Sequence, residues 1–307
     1  MQELKDYLSL ISTQDISNCV SIYFAYRNDN TEEKYISHKP QMNNEVQKGV
    51  LGTILPFVEN LMNNNIIVEY NPVGVADGEI EKIDSSKIPM INKFLNSIED
   101  ENVNKDMSSL RIDKIGFYCV EVKYGGKRIL FLRQFQKLKK LRQGYITRII
   151  NDELQVMEND FLGIDEITDI VIYNNEIILL NHISLERIFN YRDEFLKKTK
   201  EALGEILTRD VIINIQQFSD DCCRDIRVMK RFTDIMTKDR LPLFFENYDK
   251  VPEIVSELDL DIDFNNEGKL IYREKSQLFH IINLLSDSYF KSLLANRTGV
   301  AKIEGDV

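Results

Sequence analysis

Basic side chains with no acid among them fill one stretch of this chain. From Lys123 to Arg148 there are nine lysines and arginines and no aspartate or glutamate, so the rest of the chain carries a formal net charge of −20, against −11 for the whole. We call residues 123–148 the basic segment. Lysine and arginine bind phosphates and release the counterions condensed on a nucleic acid. A local excess of bases in an acidic chain therefore predicts a polyanion-binding surface.

The spacing within the basic segment predicts a helix from Arg133 to Arg148. On that helix bases lie on one side and apolar residues such as Phe135 and Leu138 on the other. Nothing in this pattern is suited to recognising particular bases, so we expect DNA binding without sequence specificity. The candidate phosphate contacts, four central ones first and then the flanking ones, are Lys137, Lys139, Lys140, Arg142, Lys127, Arg128, Arg133 and Arg148.

Two other functions fit parts of the same region. Asp113, Glu121 and Lys123 resemble the carboxylates and lysine of a Mg²⁺-dependent nuclease. Alternatively, the bases dock on an acidic protein partner. They could also form only a solvated helix face, or pair with acids such as those of residues 246–267, which hold eight acids and one base. No glycine-rich phosphate loop, nucleophile motif or His/Cys metal spacing occurs. We therefore expect a binding protein without catalysis, cofactor or metal.

The elements that must position these residues indicate an α+β fold. Gly125-Gly126 and Asn174-Asn175 each separate two β-rich runs by two residues, which predicts two hairpins in the first half. The second half is mostly helical. We predict a sheet-containing domain at 1–182 and a helical domain at 183–307, a polar connection at 73–87, a candidate boundary at 99–106 and a final helix at 275–295.

Hydropathy and cysteine content indicate the compartment. Charges or amides interrupt every apolar run, so we expect no membrane span. The start of the chain lacks a secretory pattern, and four cysteines without a disulfide or zinc spacing favour a reducing environment. We expect a cytoplasmic protein.

Three stretches resemble the KwaB-like proteins of Kiwa anti-phage defence: residues 116–142 (GFYCVEVKYGGKRILFLRQFQKLKKLR), 164–191 (IDEITDIVIYNNEIILLNHISLERIFNY) and 284–302 (LLSDSYFKSLLANRTGVAK). The similarity covers about residues 60–303, and its motifs are structural. It implies a cytoplasmic, homo-oligomeric, DNA-binding component that works with a membrane-embedded partner, KwaA, to block phage replication. Through that partner it would be peripheral at the inner membrane. It brings no catalytic residues.

Overall fold

The computed structural model describes residues 2–30, 34–99, 101–135, 147–150, 153–156, 163–292, 294 and 297–301, with the backbone alone for 147–150 and 153–156. It divides into two units, one formed by residues 1–69 and 78–189 and the other by residues 70–77 and 190–307. The division thus falls at residue 189, whereas the sequence suggested 182. Sheets and hairpins in the first half and helices in the second confirm the predicted α+β class.

The first unit is built around one sheet. Its elements are α1 (Gln2–Thr13), β1 (Val20–Arg27), β2 (Tyr35–His38), α2 (Asn44–Asn64), β3 (Ile66–Glu69), β4 (Glu79–Asp84), α3 (Pro89–Ser97), β5 (Phe117–Tyr124), β6 (Lys127–Gln134), β7 (Thr147–Ile150), β8 (Glu153–Val156), β9 (Ile170–Tyr173), β10 (Glu176–Leu179) and α4 (Ser184–Phe189). Eight of the strands form the sheet in the order β2-β1-β5-β6-β9-β10-β4-β3. Neighbours are antiparallel except β3 and β4.

Helices cover both faces of this sheet. Apolar residues of α1 and α2 pack with Tyr118, Val120 and Val122 of β5. Phe117, which alternates to the opposite face, contacts Phe94 of α3 and Phe189 of α4 through its ring. Because β5 and β6 are buried on both sides, their sequences are nearly continuous apolar runs.

The two predicted hairpins are confirmed. Tyr124 pairs with Lys127 across Gly125-Gly126, and both glycines have positive φ, +60° and +74°. Such a turn needs φ above zero at both central residues, which glycine adopts without steric cost. The second hairpin joins β9 to β10, with Asn174 at φ +54°. Local turn chemistry thus fixes the register of the central strands.

Two predicted connections in the first half are wrong. Residues 73–87 were expected to be a polar connection, but β4 occupies Glu79–Asp84 and pairs with β10. Residues 99–106 do not separate domains, because Asn104 lies against edge strand β2: its backbone N–H donates to Ser37 O (2.9 Å) and its O accepts from Lys39 N (3.0 Å). In both places long-range pairing outweighs a polar local composition.

The second unit is mainly helical. Its elements are α5 (Arg192–Arg209), β11 (Ile212–Ile213), α6 (Ile215–Arg224), α7 (Ile226–Thr237), α8 (Arg240–Glu246), α9 (Val251–Glu257), β12 (Asp263–Phe264), β13 (Leu270–Ile271), α10 (Leu278–Leu285), β14 (Tyr289–Lys291) and β15 (Thr298–Val300). The predicted final helix to residue 295 is wrong beyond Leu285. Asp287 takes a left-handed φ of +51°, and the chain turns into the β14–β15 hairpin.

Candidate nucleic-acid interface

The basic segment is divided between the sheet and a long connection. Its first part forms the β5–β6 hairpin. Strand β6 ends at Gln134 and lies beside β9, with Leu132 opposite Ile170, so residues 135–169 connect two neighbouring strands of the sheet. We call residues 135–169 the insertion. Within its described residues, β7 pairs with β8 as a separate two-stranded sheet.

The predicted helix from Arg133 to Arg148 is wrong at both ends. Arg133 lies in β6 and Arg148 in β7, where the structure describes only its backbone. The four central candidates Lys137, Lys139, Lys140 and Arg142 lie outside the described residues. The apolar positions that suggested a helix include Phe131, which is buried because β6 runs through the middle of the sheet.

Lys127 is neutralised by the first helix. Its Nζ lies 3.0 Å from Glu3 Oε1 and 5.7 Å from the ring centre of Tyr7. The hydroxyl of Tyr173 donates to the same carboxylate oxygen at 3.1 Å. The hydrogen bond from Lys127 holds the pKa of Glu3 below its usual value, and the same bond raises the pKa of Lys127. Both partners are solvent-exposed, so the contact contributes little to stability.

Arg128 binds a carboxylate inside the sheet. Its Nε donates to Glu121 Oε1 at 2.6 Å, and its Nη1 donates to Glu99 at 3.4 Å. Glu121 is 1% exposed and also accepts a hydrogen bond from the Tyr23 hydroxyl at 2.7 Å. Burial, and then this carboxylate, raise the pKa of Tyr23. Lys123 Nζ lies 3.4 Å from Glu121 as well, so the buried charge faces two cations.

Arg133 is nearly buried and pairs with two aspartates. The residue is 7% exposed, and its guanidinium faces two carboxylates. Its Nε and Nη2 donate to Asp165 at 3.2 and 3.1 Å, and its Nη1 donates to Asp169 at 3.2 Å. Burial works to lower the pKa of Arg133, but the two carboxylates outweigh it and hold the pKa above its usual value. All three nitrogens of this guanidinium donate to carboxylates, so it is not available to bind a phosphate.

All three candidates with described side chains are thus paired with the protein's own acids. The partners are Glu3, Glu99, Glu121, Asp165 and Asp169. None of them lies in residues 246–267, where the sequence suggested an internal partner. Sequence spacing could not reveal these pairs, because Glu3 is 124 residues from Lys127 along the chain. The side chains of the other five candidates, all in the insertion, lie outside the described residues.

The proposed nuclease residues have other partners. Asp113 lies in a short 3₁₀ turn and binds Arg111 at 3.1 Å, whereas the Glu121 carboxylate is saturated by Tyr23 and Arg128. In the described part of the chain, no group of three or more His, Cys, Asp or Glu side chains is placed to hold a metal ion. Glu121 and Lys123 do lie close together, but as members of an ion-pair cluster.

Comparisons place the chain in a family. Among the described residues, every helix is too short or too polar to cross a bilayer. No curated protein and no solved structure matches the chain. The family model described as Kiwa protein KwaB-like matches residues 112–295, more than half of the chain, so this protein belongs to the KwaB-like family of Kiwa anti-phage defence components.

Proposed function

We propose that this protein is the DNA-binding component of its defence complex, that it binds the phosphate backbone without sequence specificity, and that it blocks phage replication without catalysis. One observation supports the proposal above the others. Residues 135–151 carry five bases and no acid in a chain of net charge −11. Such a charge distribution attracts a polyanion to one place and repels it elsewhere.

The contacts seen in the structure narrow the set of residues that we propose to bind phosphate. Lys127, Arg128 and Arg133 already face carboxylates, so releasing them to a phosphate would leave those acids unpaired. The proposed phosphate contacts are therefore the bases that belong to the insertion: Lys137, Lys139, Lys140, Arg142 and Arg148. The family match spans all of them. By likeness to the family, we also propose a homo-oligomer and a membrane-embedded KwaA-like partner.

A charge-reversal experiment tests the DNA assignment. The triple variant Lys139→Glu/Lys140→Glu/Arg142→Glu should bind DNA much more weakly, and the slope of log affinity against log salt should become less negative by about 3, because three phosphate contacts are lost. A matched control reverses Lys197, Lys198 and Lys200, which have the same spacing in α5. The control should bind like the parent protein.

The same titration separates binding to DNA from binding to an acidic protein. Parent-like affinity and a flat salt dependence in the insertion variant would remove the DNA assignment and leave the bases as a docking surface for an acidic partner. An equal loss in the Lys197, Lys198 and Lys200 variant would show that overall charge, and not the insertion, determines binding.

A further inference from the structure

The two ends of the insertion meet at one partly buried ion-pair cluster. Arg133 lies at the end of β6, where the chain leaves the sheet, whereas Asp165 and Asp169 lie where it returns before β9. We call Arg133, Asp165 and Asp169 the root of the insertion. The guanidinium of Arg133 donates two hydrogen bonds to Asp165, at 3.2 and 3.1 Å, and its Nη1 donates to Asp169 at 3.2 Å. One side chain therefore joins the exit and the return.

Further hydrogen bonds tie the root to the sheet. Asp169 also accepts from the Gln134 backbone N–H at 2.7 Å and from Asn181 Nδ2 at 3.0 Å. The Tyr118 hydroxyl donates to Asp165 at 3.3 Å. These bonds fix the two carboxylates in place. The root therefore joins the ends of the insertion to the central strands as well as to each other.

The described core of the insertion depends on such an attachment. The hairpin formed by β7 and β8 has two strands that pair with each other. A two-stranded hairpin is marginally stable by itself in water. We therefore expect the β7–β8 hairpin to depend on the attachment of the insertion at its two ends.

The charge of the root argues against a phosphate site. Two carboxylates surround one guanidinium, which gives the root a formal charge of −1, and the side chain of Arg133 is 9% exposed. An approaching phosphate would be repelled by Asp165, which is half exposed, before it reached Arg133. The geometry therefore suits holding the insertion and does not suit binding an anion.

We propose that Arg133, Asp165 and Asp169 hold the two ends of the insertion at the sheet, and that the affinity of the protein for DNA depends on this attachment. The inference rests on the proposed function, because the ligand is the same DNA. Arg133 is a positioning residue in this account, and Asp165 is the member of the root whose substitution best tests it, since half of its side chain is already in water.

The decisive variant is Asp165→Asn. A positioning role for Arg133 and a role as a phosphate contact predict changes in DNA affinity of opposite sign for this variant. If the root positions the insertion, DNA affinity falls by about two- to thirtyfold, the usual range for residues that act without touching the ligand. The salt slope stays as in the parent protein, because no phosphate contact is lost. If Arg133 is instead a masked phosphate contact, removing the acid strengthens binding and steepens the slope by about 1. That result, or unchanged affinity, overturns the proposal.

Two further variants control for charge and for side-chain shape. Glu3→Gln removes the same charge beside Lys127, outside the root, and should not weaken DNA binding. Arg133→Lys keeps the charge but loses the fork that grips Asp165. It should therefore weaken binding as Asp165→Asn does, whereas affinity at the parent level would contradict a positioning role for the guanidinium.

Hydrogen exchange separates failure of this inference from failure of the proposed function. Without DNA, Asp165→Asn should speed amide exchange in residues 147–150 and 153–156 relative to the parent protein, while β5 exchanges as before. Unchanged exchange there would overturn the root as an attachment. If the parent protein bound no DNA at low salt, the proposed function would fail, and the exchange data would still decide whether the root holds the insertion.

Discussion

Removing the Glu121 carboxylate tests whether this residue stabilises the sheet or takes part in catalysis. In the structure its side chain is 2% exposed, accepts from Arg128 at 2.6 Å and from Tyr23 at 2.7 Å, and lies 3.4 Å from Lys123. Glu121→Ala leaves a guanidinium and a buried hydroxyl without their acceptor. We therefore expect a large loss of stability and no specific loss of a cleavage activity.

The size of the loss follows from these contacts. Breaking a buried ion pair from one side typically costs about 3–5 kcal/mol. The Arg128 side chain is 31% exposed and keeps Glu99, so water and that acid compensate part of the loss. We expect roughly 2–4 kcal/mol, which corresponds to a fall in melting temperature of about 4–16 °C for a unit of this size.

Urea unfolding and thermal melts measure this loss, with two comparison variants. Glu121→Gln keeps the shape and one acceptor oxygen and should lose less, about 1–3 kcal/mol. Glu166→Ala removes an exposed glutamate of the same unit and should stay within about 0.5 kcal/mol of the parent protein. Plasmid incubated with Mg²⁺ is assayed in parallel. An unchanged melting temperature in Glu121→Ala, together with parental Mg²⁺-dependent nicking that the variant loses, would refute this reasoning and favour the nuclease.

Two other predictions concern the stability of the fold. Burial lowers the pKa of His38 below that of an unfolded chain, so the unfolded state takes up the proton first. The free energy of unfolding should therefore be at its maximum above about pH 6.5 and should fall as the pH drops below it. In urea unfolding, this fall should be smaller for His38→Gln. Gly125→Ala places a Cβ at φ +60° and should lower the free energy of unfolding, followed in thermal melts, by about 1–2 kcal/mol. Gly204→Ala within α5 should instead raise it by about 1 kcal/mol. Equal effects of the two substitutions would contradict the turn assignment.

The sequence was informative where local chemistry decides the structure. Gly125-Gly126 predicted its hairpin because a two-residue turn of this hand needs positive φ at both positions, which glycine supplies. The family likeness was predicted as well, from stretches that include this hairpin.

The sequence misled where distant contacts decide the structure. Strand β6 is apolar on both faces, so its residues continue a helical spacing toward Leu138 although they form part of a sheet. Strand β4 is rich in charges, yet it buries Glu81, which binds His182 at 2.7 Å. Glu3 of α1 pairs with Lys127, and Glu99, just beyond α3, pairs with Arg128; no local pattern connects these two acids to β6.

The salt dependence of DNA binding by the parent protein tests the central claim most directly. If the five bases of the insertion make the phosphate contacts, the slope of log affinity against log salt on duplex DNA is about −4.5. If the paired bases of β6 also contacted phosphate, eight contacts would give a slope near −7. A slope near zero would contradict the account altogether, because binding would then not depend on the charges of the insertion.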